Sequence, residues 1–335
     1  MDTTVTHEDT IAVKSLPEKF IGMIPLPGWL AWVIFWQLIF LVDYLNTLSM
    51  GGINAHIDVF ACINLFFAST CIVTTYCSTV LIRLYPNLKR FIEEDQETLK
   101  SWYTAKLKSC YESYWVFLCG ILISVAAVIS IYPMLRQLTP PIDFLFYYRL
   151  SYLALGFFFL GISLWALIKV ALVPMELTRM KVKVSITQFS GNGLQALGSS
   201  FLKMSLSITI SFMLIVTTAM VAPFENNVTV LIWLGLAAFL IFGFFLLPQI
   251  GIHRVMVNEK TNRMSNFTHH LEEAMAKTLK DPSGENMQRL KELFEVQNHL
   301  KGMHEWPFNL NSIWQLLTAL IIPIILAAIE ILFKS

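Results

Sequence analysis

The sequence has little charge for its length, and this scarcity decides its class. Asp, Glu, Lys and Arg make up 14% of the 335 residues, whereas hydrophobic residues make up 56%. A soluble domain usually has about a quarter of its residues charged. We therefore predict an integral, multi-pass protein of the cell membrane, whose main partner is the lipid bilayer.

Two further shortages exclude other classes. The formal net charge is only +1, so the chain lacks the basic surface of nucleic-acid binders, and no nucleic acid is expected as a partner. The five cysteines all lie between Cys62 and Cys119, within or beside two apolar runs. Cysteine in such places behaves as a small hydrophobe, so no disulfide framework is predicted.

Seven apolar runs are long enough to cross a bilayer, which requires roughly 20 apolar residues. They lie near residues 29–50, 57–83, 114–134, 144–173, 201–222, 228–250 and 312–333. The sequence thus predicts an all-α polytopic membrane protein with seven transmembrane helices. The expected divisions are an N-terminal segment 1–28, a six-span membrane domain 29–250 with long cytoplasmic connections, a helical region 251–311 and a seventh span 312–335.

The distribution of lysine and arginine predicts the orientation, because positive charge near span ends favours the cytoplasmic side. The second-to-third, fourth-to-fifth and sixth-to-seventh connections are rich in both residues, whereas segments 51–56 and 223–227 contain neither. We therefore predict that the N-terminus is cytoplasmic and that the C-terminus lies outside.

The longest inner connection, 251–311, is predicted to form a cytoplasmic helical hairpin. Leu271, Met275 and Leu279 repeat at four-residue spacing, which is typical of one apolar helix face. Residues 281–284, Asp-Pro-Ser-Gly, interrupt this pattern, and a second amphipathic stretch follows. A cytoplasmic protein or a small-molecule regulator is a candidate partner for these helices.

Catalysis is not predicted, and no catalytic, cofactor or metal site is expected. Residues 191–196 match a dinucleotide fingerprint in letters, but they lack the preceding strand that brings its glycines to a phosphate. The histidines offer no ligand set of known spacing. Four of the seven histidines lie in candidate pairs, His269 with His270 and His299 with His304. The chain is therefore not expected to be an enzyme.

Two ionisable residues within the spans are predicted to form an ion pair. Asp43 lies about seven residues from the outer end of the first span and Arg149 about five from that of the fourth, so their depths are similar at 1.5 Å per residue. A structural clamp and a role in gating or transport are both open. Because the midplane has almost no acidic group, a proton-coupled transporter is less favoured.

The fifth predicted span has a stripe of hydroxyl residues on one side. Ser200, Ser207, Ser211 and Thr218 follow at helical spacing. Such a stripe lines a wet path in some proteins. Its commoner use is close helix packing and hydrogen bonding to backbone carbonyls.

The last span is interpreted as a pore helix. Polar residues follow at three-residue spacing in its inner half, segment 321–326 is wholly apolar, and one carboxyl group lies near the outer end. This pattern favours an inner vestibule, a constriction that gates by dewetting and an outer acidic ring. The candidate pore-lining residues are Ser312, Gln315, Thr318, Ile322 and Glu330. A capped, kinked anchor helix is the alternative interpretation.

The layout resembles that of the insect odorant and gustatory receptor channels. The shared features are seven spans, an internal N-terminus, short outer connections and a long helical inner region before the last span. The resemblance implies a tetramer assembled around the last helix. The Thr-Tyr and Gln-Phe signature of that family is replaced by Ile-Trp-Gln-Leu at 313–316 and Ile-Glu-Ile-Leu at 329–332, so no residue role is carried over. Segments 248–253 and 305–308 are similar to those of bacterial multi-span proteins without assigned function.

Together these patterns predict a homo-oligomeric ion channel that is gated from its cytoplasmic helices and lined by its last span. The main alternative is a membrane-anchored signalling or scaffold protein whose cytoplasmic helices bind a partner. A small-solute transporter is the third hypothesis. A channel would carry charge-selective current after purification and reconstitution, whereas an anchor would leave bilayers silent.

Overall fold

The described part of the chain is almost entirely helical. The computed structural model describes residues 13–49, 57–91, 95–138, 144–177, 193–221 and 227–302, together with separate positions between 306 and 329. Within these ranges there is no β-strand, so the predicted all-α class is confirmed.

Nine helices occupy the continuous described ranges. They are α1 (Leu16–Ile21), α2 (Gly28–Ser49), α3 (Ile57–Phe91), α4 (Gln96–Tyr111), α5 (Tyr114–Leu138), α6 (Phe144–Leu177), α7 (Gly193–Val221), α8 (Asn227–Lys280) and α9 (Gly284–Lys301).

Short polar side chains cap the helices that begin outside the apolar runs. The Ser15 hydroxyl accepts from the Glu18 backbone N–H at 3.3 Å, and the Glu18 carboxylate accepts from the Ser15 N–H at 2.6 Å. Asp95 caps α4 and Ser283 caps α9 in the same manner, through one side-chain oxygen each. These contacts satisfy backbone donors that the first turn leaves unpaired.

Six helical segments in the described part of the chain are long and apolar enough to cross a membrane. They are Gly28–Ser49, Ile57–Lys89, Gln96–Pro133, Phe144–Glu176, Leu197–Thr218 and Ala238–Lys280. Each overlaps one of the first six predicted spans. Of the seventh, 312–333, only separate positions are described, and they have helical backbone.

The sixth predicted span continues into the polar region as one helix. Helix α8 has 54 residues, so the expected division at residue 250 falls inside it. Pro248 removes one backbone hydrogen bond without ending the helix, as membrane helices tolerate. No glycine or proline follows between residues 252 and 281, and the helix therefore has no internal stop signal.

Helix α9 follows a tight turn and returns along α8. Near the turn, the Thr278 hydroxyl lies 3.3 Å from the Asn286 carbonyl oxygen. At the far end, the Lys260 ammonium group donates to the Lys301 carbonyl oxygen at 2.9 Å. These two contacts hold the two helices side by side over the length of α9.

Two apolar clusters hold the membrane helices together. One is formed by α1, α2, α3, α5 and α6 and is rich in aromatic side chains, including Trp32, Trp36 and Phe67. The other joins α3, α4 and α6 to α7 and α8. Tyr103 of α4 belongs to the second cluster and donates to the Leu81 carbonyl oxygen at 2.7 Å. The predicted connection between the second and third spans is therefore packed against α3 and α6.

Close helix approach depends on glycine at two places. A Cβ on Gly161 of α6 would lie 2.7 Å from the Cys119 carbonyl oxygen and 2.8 Å from the Gly120 Cα of α5. A Cβ on Gly251 of α8 would lie 2.9 Å from the backbone at Pro174 of α6. Small residues at such crossings let membrane helices pack backbone to backbone.

Candidate functional site

The predicted partners Asp43 and Arg149 lie together in the structure. Arg149 Nε lies 2.8 Å from Asp43 Oδ1, and Arg149 Nη2 lies 3.2 Å from Asp43 Oδ2. Both side chains are 0% exposed. The contact is the two-point geometry in which the guanidinium fork matches a carboxylate, and it joins α6 to α2.

Two neighbours support this pair. The Thr47 hydroxyl accepts from Arg149 Nη2 at 3.1 Å while it donates to the Asp43 carbonyl oxygen at 2.8 Å. The Phe60 ring centroid lies 4.0 Å from the guanidinium carbon, which is a cation–π distance. Charge, hydrogen bonds and the ring together offset the cost of burying the arginine.

Further polar groups surround the pair. The Tyr148 hydroxyl donates to the Ile39 carbonyl oxygen at 2.8 Å, and the Asn64 amide donates to the Phe60 carbonyl oxygen at 2.9 Å. The Asn64 Oδ1 and the Tyr152 hydroxyl are both buried, and the two side chains lie next to each other.

The hydroxyl groups of the predicted stripe on α7 differ in their hydrogen bonding. Ser207 donates to the Lys203 carbonyl oxygen and Thr218 to that of Leu214, at 2.9 and 2.8 Å. Ser200 is half-buried. Ser211 differs from these residues, because its side-chain oxygen is buried and has no partner among the described residues. Two hydroxyls of the stripe therefore bond to the backbone of their own helix, whereas the Ser211 hydroxyl does not.

Ser211 lines a cavity among four of the membrane helices. The cavity has a volume of about 230 Å³ and is bounded by α3, α6, α7 and α8. Aliphatic and aromatic side chains make up most of its wall. Three of its lining residues, Ile168, Leu240 and Leu247, are exposed, so the cavity is open on the side that they form.

The other hydroxyls of this cavity are already paired. Ser163 donates to the Phe159 carbonyl oxygen at 2.8 Å and lies 2.6 Å from the Thr74 hydroxyl. Thr70 donates to the Phe66 carbonyl oxygen at 2.9 Å. Of the hydroxyl groups in the wall, Ser211 is thus the one that the described chain leaves unsatisfied.

The candidate pore-lining residues are described only in part. Gln315, Thr318 and Ile322 have helical backbone and exposed side chains, whereas Ser312 and Glu330 lie outside the described residues. Just before this segment, the Trp306 ring stacks on the His253 ring of α8, with centroids 3.8 Å apart and planes 8° apart. This contact joins α8 to the start of the last segment.

One group of residues on α8 has the composition of a metal site. His269 Nδ1 lies 3.4 Å from Glu273 Oε1, and His270 Nδ1 lies 3.8 Å from Glu273 Oε2. All three side chains are exposed and lie on one stretch of helix. Glu273 was not predicted as part of this group, although its i+3 and i+4 spacing from the two histidines places it on the same side of the helix. The side chains of His299 and His304 lie outside the described set.

In comparisons with known proteins, no family model, curated protein or solved structure matches this chain.

Proposed function

We propose that the protein is a homo-oligomeric ion channel with seven spans, a cytoplasmic N-terminus and an external C-terminus. The proposal rests on the exposure of Gln315 and Thr318 in segment 314–329, whose other residues are apolar. A polar side chain that faces hydrocarbon loses hydrogen bonds with water and is costly. Contact with other subunits or a water-filled path along the last span removes that cost.

Along the last span, from its inner to its outer end, the residues suit a polar vestibule, an apolar constriction and an acidic outer mouth. Gln315 and Thr318 would face the inner vestibule, and Ile322 would belong to the apolar constriction that excludes water when closed. Glu330 would contribute a ring of carboxylates near the outer mouth. Selectivity and gating would then lie at different depths of one helix.

The stacking of Trp306 on His253 supports control of the pore from the cytoplasmic helices. Helix α8 continues beyond the apolar segment and carries α9 along its polar half. A displacement of these helices would be transmitted through the two rings to the start of the last span. The hairpin of α8 and α9 would thereby act as the gating element.

Substitution of Glu330 tests the proposed channel function in purified protein that is reconstituted into planar bilayers. The unsubstituted protein should carry cation-selective current, measured by its reversal potential in a potassium chloride gradient. Glu330→Gln should reduce the cation preference and preserve assembly. Glu285→Gln, a substitution on exposed α9, is the matched control and should leave selectivity unchanged. Absence of any current from a correctly assembled protein would contradict the proposal.

A scaffold function is the second candidate, and a specific surface favours it. Leu279 at the end of α8 is 84% exposed, and Met287 at the beginning of α9 is 58% exposed. Apolar side chains on a water-facing hairpin tip are suited to contact with another protein. The anchor interpretation predicts silent bilayers and a complex that Leu279→Lys with Met287→Lys disrupts. Val296→Lys, at an exposed position of α9 away from the tip, tests whether the loss is specific to the tip.

A further inference from the structure

The cavity at Ser211 is large enough to hold a small molecule. Its volume is about 230 Å³, whereas an apolar cavity of roughly 150 Å³ remains dry and binds benzene. Most of its wall consists of Leu, Ile, Phe, Val and Ala side chains. Water in such a space would find few hydrogen-bond partners, so an apolar occupant is favoured over water.

The wall also supplies one polar contact. Ser211 is 6% exposed, and its hydroxyl has no partner among the described residues. The neighbouring hydroxyls are occupied, since Ser163 and Thr70 both donate to carbonyl oxygens of their own helices. After rotation of the Ser211 side chain about its Cα–Cβ bond toward the cavity, a bound molecule with a hydroxyl or carbonyl group would satisfy the Ser211 hydroxyl and would keep its remaining atoms in apolar contact.

The position of the mouth indicates the route of entry. Ile168 of α6 and Leu240 and Leu247 of α8 are exposed at the cavity edge, and all three belong to segments apolar enough to cross a membrane. Molecules dissolved in the hydrocarbon therefore reach this opening without passing through water. A charged ligand would be excluded, because the wall offers no side chain to neutralise it.

We propose that this cavity is a binding site for a small, neutral amphiphile, which enters from the bilayer and hydrogen-bonds to Ser211. The ligand class is an apolar body with a single hydroxyl or carbonyl group. Binding does not depend on ion conduction, so the site remains testable if the protein carries no current.

Gly243 provides a substitution that fills the site. It lines the cavity, and a Cβ at this position meets no atom within 4 Å. Gly243→Leu should therefore occupy the space without displacing a neighbouring helix. Gly235 is the matched control, because it lies on the same helix with equally open surroundings but is not part of the wall.

Photolabelling in lipid nanodiscs measures occupancy directly. The probe is 3-azioctanol, an eight-carbon alcohol whose diazirine forms a carbene on illumination and inserts into neighbouring bonds. Label on α7 and α8 peptides around Ser211 and Gly243 should saturate with probe concentration. Label on α5 around lipid-facing Ile129 should rise in proportion to probe concentration. At equal membrane mole fraction, 1-octanol should compete more effectively than nonane.

The variants distinguish specific binding of the probe in the cavity from its general partitioning into the lipid. Gly243→Leu should abolish saturable label, whereas Gly235→Leu should retain it. Ser211→Ala should weaken competition by 1-octanol about fivefold, as expected for one hydrogen bond, whereas Ser207→Ala should not. Label that never saturates, or that survives Gly243→Leu in a monodisperse protein, would overturn the proposal. If Gly243→Leu fails to fold, the proposal is still overturned when 1-octanol competes equally well in Ser211→Ala and in the unsubstituted protein.

Discussion

Arg149 of α6 and Asp43 of α2 meet in a fully buried, two-point ion pair, with Nε–Oδ1 and Nη2–Oδ2 distances of 2.8 and 3.2 Å. The two residues are separated by 106 positions in sequence. Since neither charge reaches solvent, each depends on the other for its burial. The pair therefore fixes α2 against α6 and restricts how far these helices move apart.

Removal of either charge should destabilise the protein strongly. Asp43→Asn or Arg149→Gln leaves one buried charge without its partner, which typically costs about 3–5 kcal/mol. The double substitution should cost less than the sum of the two single losses, as a double-mutant cycle on unfolding in detergent will measure.

The ion pair between Lys19 and Glu112 is the matched control for this cycle. Its Nζ–Oε1 distance is 2.7 Å, but the two side chains are 51% and 28% exposed. Solvent screening should reduce its coupling to below about 1 kcal/mol. Similar coupling in both pairs would contradict the importance of burial.

Gly161→Ala should separate α5 from α6. The added Cβ would lie 2.7 Å from a backbone oxygen of α5, and backbone atoms cannot rotate away as a side chain does. We expect a loss of about 1–3 kcal/mol in the free energy of unfolding. Gly235→Ala, whose Cβ has open space, should be neutral or should stabilise the helix by up to about 1 kcal/mol. Equal effects of the two substitutions would exclude close packing at Gly161.

Reporter fusions should show that the connections around Asp95 and Ser283 lie on the cytoplasmic side. A reporter that is active only in the cytoplasm should work at Asp95 and at Ser283 and should be inactive after Ser335, because lysine and arginine are concentrated in the inner connections. Activity after Ser335 would contradict the seven-span topology. A reporter that is active only outside should give the opposite pattern and serves as the control.

Trp306→Leu should alter gating and preserve conduction if the stack on His253 transmits motion. Aromatic pairs contribute about 0.5–1.5 kcal/mol beyond their buried area, so the ratio of open to closed channels should change roughly two- to tenfold. Single-channel recording should show this change at constant unitary conductance. Trp29→Leu, at an exposed position of α2, should leave both quantities unchanged.

The helices and the buried pair follow from local properties of the sequence. Runs of apolar residues predict where helices cross lipid, and counting residues along two helices placed Asp43 and Arg149 at similar depth. The supporting roles of Thr47 and Phe60 were missed, because they depend on the rotation of each helix about its axis. Spacing within one segment does not define that rotation.

The cavity could not be predicted from any single span. Its hydroxyls come from different helices, and Thr74 and Ser163 meet across 89 positions of sequence. Helical spacing placed Ser211 and Ser207 in the same predicted stripe on α7. The Ser207 hydroxyl, however, bonds to its own helix. Whether a helix hydroxyl bonds to its own backbone or faces a cavity depends on the neighbouring helices. The extension of α8 past Pro248 was missed for a related reason, since proline in a membrane helix is not by itself a stop.

The central claim, that the last span lines a pore, is tested most directly by charge placed at Thr318. In Thr318→Cys channels, a positively charged methanethiosulfonate reagent should reduce cation current, because the modified side chains would face the permeation path. Unsubstituted protein, with its five native cysteines, is the control and should retain its current. Full current after the same reagent has modified position 318, verified by mass spectrometry, would contradict the claim.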